Sequence, residues 1–180
     1  TYGRLSFLGA VIVRPQDRGT GIGRLLMDAA LSYLDNAGVE TVRLNAYLNV
    51  VPFYERLGFR KEYEVGRWSG RPRAGDHRGV HVASGSDIDA VVTFDAPYFG
   101  ANRHALLNGL RREMPEGFLV ARAGDRVIGY IVGSVSNGAC EVGPWVGIES
   151  RGRDAHQVAA QGEGRAHRQT ERLERFGRGQ

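Results

Sequence analysis

Three glycines at alternate positions, Gly19, Gly21 and Gly23, separate an apolar stretch from an amphipathic one. Glycine allows a tight, left-handed turn without steric cost. A helix beginning there adds unpaired N–H groups and the positive end of its dipole. Such a cradle of amides binds phosphate without a lysine. The bland alternative is an ordinary glycine-rich strand-to-helix turn. Two common phosphate loops do not fit. No Gly-Lys-Ser/Thr is present, and the spacing is GxGxG rather than the GxGxxG of dinucleotide folds. His77 and His81 lie in a glycine-rich stretch with no third ligand nearby, so no metal is expected. Cys140 is the only cysteine, which excludes an internal disulfide and a cysteine-based zinc site.

Around this loop the sequence predicts alternating strands and helices. Leu5 to Val13 reads as a buried strand, ended by Arg14-Pro15 because proline gives no ladder N–H. Ile22, Leu25, Leu26, Ala29, Ala30, Tyr33 and Leu34 recur at helical spacing as one amphipathic face. Gly38 is placed for a left-handed cap. Thr41 to Ala46 reads as a second strand, Phe53 to Leu57 as a short helix opened by Pro52 and ended by Gly58, and Phe59 to Trp68 as a third strand. The order implies an α/β fold with strands paired across right-handed crossovers. Residues 69–85 have no apolar period and read as a linker. Beyond it, one helix is expected within Ala96–Met114, with Leu106, Leu107 and Leu110 on one side. A hairpin of Phe118–Arg122 and Val127–Val132 follows, then a strand from Cys140 to Ile148. In the tail, 151–180, sizeable apolar groups are too sparse to form a periodic face, so it is expected to be disordered or a poorly determined helix.

On two motifs the chain resembles the GCN5-related N-acetyltransferases. Arg18-Gly-Thr-Gly21-Ile-Gly23, after a strand and opening a helix, matches their Arg/Gln-x-x-Gly-x-Gly/Ala signature. Phe53-Tyr54-Glu55-Arg56-Leu57-Gly58-Phe59 matches their tyrosine-bearing helix. The resemblance implies an acyl-CoA N-acyltransferase fold, a mixed sheet flanked by helices, transferring an acetyl group from acetyl-CoA directly to an amine of a small molecule or protein. Carried over by position, it implies that Arg18, Gly19, Thr20, Gly21, Ile22, Gly23 and Arg24 surround the pyrophosphate, with backbone amides from Gly19 through Arg24 holding it. It also implies that the backbone of Val11, Ile12 and Val13 pairs with the pantetheine arm, that an N–H there polarises the thioester carbonyl, and that Tyr54 protonates the departing thiolate. Where many members have an asparagine seven residues before this tyrosine, this chain has Tyr47, with Asn45 and Asn49 in other registers. Leu5–Val13 also offers no Glu, Asp or His as a base. Gln161-Gly-Glu-Gly-Arg-Ala166 repeats the signature without a preceding strand or a following apolar helix face, and is read as chance.

Such families place a strand, two helices and a hairpin before the cofactor strand, whereas residue 1 here lies just ahead of it. Residues 1–68 thus look like the C-terminal half of one domain and 86–150 like the N-terminal half of a second. This arrangement resembles bacterial proteins with two such domains in tandem. The halves are expected to fold together as a permuted or incomplete domain, or to complete each other in a homodimer by exchange. The competing readings are a non-catalytic acyl-CoA-binding or regulatory module and an inactive fragment of a tandem acetyltransferase.

The 180 residues suit a domain-sized chain, and no apolar run approaches the roughly 20 residues of a membrane helix. Neither a signal peptide nor a membrane partner is expected, and the lone cysteine suits the cytoplasm. The net charge of +4 does not point to nucleic acid. Residues 67–85 and 151–180 each carry +3, while 1–66 and 86–150 carry +1 and −3. The basic excess therefore lies outside the segments that read as folded.

Overall fold

The computed structural model describes residues 1–70, 79–148 and 164–176. They form two compact units, each built on its own four-stranded sheet. The halves therefore build two sheets rather than one permuted sheet. No helix among the described residues is long and apolar enough to cross a membrane.

The first unit contains β1 (Leu5–Leu8), α1 (Ile22–Asn36), β2 (Thr41–Tyr47), α2 (Val51–Glu55), β3 (Arg60–Gly70) and β8 (Gly164–Phe176). Its sheet order is β1-β2-β8-β3. β1 runs parallel to β2, and β8 is antiparallel to both β2 and β3. α1 ends as its sequence anticipates. Gly38 takes φ +73, and the Val39 amide donates back to the Leu34 carbonyl at 3.0 Å. The face it buries differs from the expected one. Met27, Leu31 and Leu34 enter the core, whereas Ile22, Leu25, Leu26 and Tyr33 are exposed. Two apolar arcs compete on this helix, and the sheet selects the one carrying Met27. Val42, Leu44 and Ala46 of β2 meet that arc together with Val51, Tyr54 and Leu57 around α2, and Leu173 of β8.

Three expectations change here. The strand expected over Leu5–Val13 stops at Leu8, because Ala10 turns left-handed at φ +56 and takes the chain away from β2. β3 is not the neighbour of β2, since β8 lies between them. Of the tail expected to be disordered, residues 164–176 form β8, while 151–163 and 177–180 lie outside the described residues. β8 bonds to a neighbour along each edge, and among its described side chains Leu173 enters the core. Two of its described charged side chains meet partners on other strands. The Arg43 Nε donates to Glu174 at 3.2 Å, and the Arg172 guanidinium lies 4.9 Å from the Phe7 ring and 5.3 Å from that of Tyr63.

The second unit contains β4 (Val80–Val82), α3 (Ile88–Phe99), α4 (His104–Glu113), β5 (Phe118–Ala123), β6 (Arg126–Ser136) and β7 (Ala139–Gly147), with antiparallel strands in the order β4-β5-β6-β7. The expected hairpin is β5–β6. Of the expected linker, residues 69 and 70 belong to β3 and 80–82 form β4, while 71–78, with His77, lie outside the described residues. The single helix expected within Ala96–Met114 is two, broken at Gly100 with φ +91. After the break Arg103 turns inward. Its Nε and Nη2 reach the fully buried Asp95 carboxylate at 2.8 and 2.6 Å, and the Tyr130 hydroxyl donates to the same carboxylate at 2.6 Å. Burial, and then the bond to Asp95, push the Tyr130 phenol far above its ordinary pKa despite the nearby Arg103 charge. At the start of α3, burial alone would raise the Asp87 carboxyl, but the Ser84 hydroxyl and amide, Arg122 and His81 hold it well below the usual range.

Candidate functional site

Where β1 stops pairing with β2, the first unit opens a cleft of about 810 Å³. One wall is the chain from Leu8 to Val13, outside the ladder after Leu8. The opposite wall is the end of β2, with Leu44 to Tyr47, continued by Asn49, Val50 and α2. The floor is the glycine loop leading into α1. Clefts at the carboxyl ends of diverging parallel strands are common ligand sites in α/β sheets.

The loop is held open from behind. Arg18 Nε donates to the Val13 carbonyl at 3.1 Å, Thr20 Oγ1 to the Asp17 carbonyl at 2.7 Å, and Arg14 Nε to the Asp17 carboxylate at 2.7 Å. Gly19 has φ +82, and Gly21, which caps α1, has φ +91. No side chain caps the start of α1. The first amides of a helix have no partner within the helix, so those of this turn remain available to an anion. Three arginines line the cleft, Arg18, Arg24 and Arg56, against one carboxylate, that of Asp17, which Arg14 already holds.

Of the residues expected at the site, Val11, Ile12, Val13, Arg18, Gly19, Gly21, Gly23, Arg24 and Tyr54 line this one cleft. Thr20 and Ile22 do not; the Thr20 hydroxyl points back to Asp17, and the Ile22 side chain is on the exposed arc of α1. Tyr54 is 9% exposed, set edge-on to Phe53 and Phe59 at 5.0 and 5.8 Å between centroids. It is therefore a core residue and a cleft residue at once. Its hydroxyl makes no hydrogen bond among the described residues, and burial raises its pKa above the ordinary value. The phenol is thus protonated at neutral pH and has its proton to give.

Sequence reasoning missed Ala10, whose backbone creates the opening, and Arg56. It set aside Asn45, Tyr47 and Asn49, all of which line the cleft. Asn45 and Tyr47 alternate along β2 with the buried Leu44 and Ala46, a period-two signal that was available. Among the described residues, no cluster of three or more His, Cys, Asp or Glu side chains could hold a metal ion.

A family model described as an acetyltransferase (GNAT) domain matches residues 3–69. An uncharacterized N-acetyltransferase of Bacillus subtilis, YitH, is 26% identical over 133 residues, which are 72% of this chain and 46% of that protein. An uncharacterized N-acetyltransferase of Porphyra purpurea, ycf52, is 35% identical over 52 residues, covering 29% of this chain and 30% of that one. The matches thus span less than half the length of these relatives. A solved structure from Pyrococcus horikoshii, described as a candidate acetyltransferase, superposes with a TM-score of 0.73 at 20% identity over 99% of this chain and 68% of its own. A GCN5-related N-acetyltransferase from Sphaerobacter thermophilus gives 0.56 at 15% identity over 91% and 70%. These two likenesses are of fold, a mixed α/β architecture with sheets flanked by helices.

Proposed function

We propose that the cleft binds acetyl-CoA and transfers the acetyl group to an amine, in keeping with the acetyltransferase (GNAT) domain model that matches residues 3–69. The carrying observation is that one cleft collects the open α1 amides, the unladdered Val11–Val13 backbone and the buried Tyr54 hydroxyl. The donor fits this site chemically. A pyrophosphate matches the amide cradle at Gly19–Arg24, and an amide-bearing arm matches backbone freed from a ladder. Acetyl-CoA is the acyl donor and supplies the activated thioester.

In this reading the amides around Gly21 and the Arg18 and Arg24 guanidiniums hold the diphosphate. The Val11–Val13 backbone aligns the arm along the cleft, and an N–H of this wall donates to the thioester oxygen as charge develops there. The amine nitrogen forms its bond to the acyl carbon as the carbon–sulfur bond breaks. Tyr54 gives its proton to the departing sulfur, and the proton released by the new amide nitrogen restores the phenol. The reaction belongs to the cytoplasm, in keeping with the single thiol, Cys140. Isothermal titration with acetyl-CoA tests the binding, and thiol release over an amine panel tests the transfer. An absence of binding heat at several temperatures overturns the reading; heat without thiol release from any amine reduces it to a binding module.

A further inference from the structure

We propose that the face of the second sheet turned away from α3 and α4 is an interaction surface for a second copy of this chain, two copies packing it face to face about a two-fold axis. The inference rests on this sheet and not on the acetyltransferase reading.

α3 and α4 cover one face of the sheet, where Val91 and Leu107 meet Val120 and Val132. The residues that alternate with these along the strands point the other way. Register places Val82, Leu119, Ile131 and Trp145 side by side across all four strands. The next row on the same face is Val80, Ala121, Gly129 and Gly147. On the far side of the first row, Val142 lies beside Gly133 and Val135 beside Cys140. None of these rows holds a charged residue. The first sheet's face away from α1, by contrast, carries Arg43 joined to Glu62 and Glu174. An antiparallel sheet with one face in water alternates apolar with polar residues. The second sheet is apolar on both faces, yet its outer side chains are uncovered among the described residues, from 37% exposed at Ile131 to 79% at Val135.

Shape and area select a second copy as the cover. The row through Ile131 and Trp145 is a ridge, and the row through Gly129 and Gly147 is a trough beside it. A two-fold axis lying between the rows and parallel to them sets each copy's ridge in the other's trough. This is the self-complementarity that such an interface needs. Within its own chain Gly147 has no reason to be glycine, since its backbone is not left-handed and a Cβ there would meet nothing within 4 Å. Glycine inside a strand often marks the close approach of another group. Val82, Ile131, Val135, Val142 and Trp145 together expose roughly 500 Å² per copy, so a pair covers about 1,000 Å², the lower bound of a specific interface.

Sedimentation equilibrium of the full chain over rising concentration measures the association, with a reductant present because Cys140 is exposed. Trp145 emission in a Trp68→Phe background reports from the face itself. Wild type should pass from one copy to two while Trp145 emission moves to shorter wavelength. Gly147→Leu adds bulk only where its own chain leaves space open. It should melt as wild type does when dilute, yet associate about 5- to 150-fold more weakly. Val82→Glu, which places a charge on the exposed ridge, should weaken association likewise. Leu25→Glu, on the exposed arc of α1, should leave it unchanged. A wild type that stays single at every concentration, forms a species larger than two copies, or pairs without a shift in Trp145 emission overturns the proposal. So does a folded Gly147→Leu that pairs like wild type, or a Leu25→Glu that abolishes pairing. Should Gly147→Leu fail to fold, Val82→Glu decides by the same reading.

Discussion

Gly21 carries the backbone that turns the chain into α1, at φ +91 and ψ −9. An L-residue in this left-handed region costs about 1–2 kcal/mol. A Cβ at Gly21 would meet nothing within 4 Å, so Gly21→Ala introduces strain and no clash. The strain can appear in two places. If Ala keeps the turn, the first unit loses about 1–2 kcal/mol of stability, a drop of roughly 4–8 °C in melting temperature per kcal/mol for a unit of this size. If Ala relaxes the turn, the donor must restore it, and acetyl-CoA binds about 5- to 30-fold more weakly. The two losses share one total. Asparagine tolerates the left-handed region better than alanine, so Gly21→Asn should fall between wild type and Gly21→Ala.

Gly23 supplies the contrast of sign. It lies in the first turn of α1, where Ala is the better helix former by up to about 1 kcal/mol. Its added Cβ would lie 3.7 Å from both Phe53 Cζ and Val13 Cγ2, an ordinary contact. Gly23→Ala should therefore hold or raise the melting temperature while Gly21→Ala lowers it or weakens binding. Calorimetric melts and acetyl-CoA titrations of wild type and the three variants decide the matter. If Gly21→Ala matches wild type in both, the left-handed turn is not what shapes the cradle, and the reasoning fails.

Other consequences are as direct. Tyr54→Phe should lower kcat about 10²- to 10⁴-fold with acetyl-CoA affinity nearly unchanged. Because burial raises this pKa, the wild-type rate should decline only above the phenol's ordinary range, and a pH–rate profile of Tyr54→Phe should lack that alkaline limb. Arg103→Met strands the buried Asp95 carboxylate and should destabilise the second unit by about 3–5 kcal/mol, with partial recovery in Asp95→Asn/Arg103→Met. Urea unfolding followed by Trp145 fluorescence in a Trp68→Phe background reads this change. Asp87 has a folded pKa well below its unfolded value, so its stabilisation is fully present above about pH 4 and is lost only gradually as pH falls below that toward the folded pKa. Melts of Asp87→Asn and wild type should differ most near pH 7, and the difference should begin to narrow below about pH 4 while persisting at about pH 3.

The elements that were legible are those whose signals are local. Gly38 ends α1 because a left-handed residue closes the Leu34–Val39 bond, and the Gly124–Asp125 turn joins two apolar runs into β5 and β6. What was not legible depended on partners distant in sequence. The arc that α1 buries is chosen by β2 and β8, and its exposed arc carries apolar residues too, Leu25, Leu26 and Tyr33. β8 reads as a charged tail because Glu174 faces Arg43, 131 positions earlier in the chain. In isolation its sequence offers a strand no reason to exist. The inward turn of Arg103 likewise splits α3 from α4 to reach Asp95 and Tyr130, a gain that composition cannot display.

The candidate site divides along the same line. Its anion-binding floor is written in glycines, because a left-handed backbone at Gly19 and Gly21 restricts the residue type at those positions. Its opening is made by Ala10, which adopts a left-handed φ with a side chain that leaves no mark on the sequence pattern. Had β1 continued straight to Val13, the backbone of residues 9–13 would have paired onward with β2 and closed the space now lined by Asn45 and Tyr47. The apolar run Leu5–Val13 would look identical in either case. A strand that must stop pairing to work therefore cannot be told by hydrophobicity from one that pairs throughout. The motif beyond it, a loop that can hold an anion only if the cleft is open, is what gives the unpaired wall its purpose.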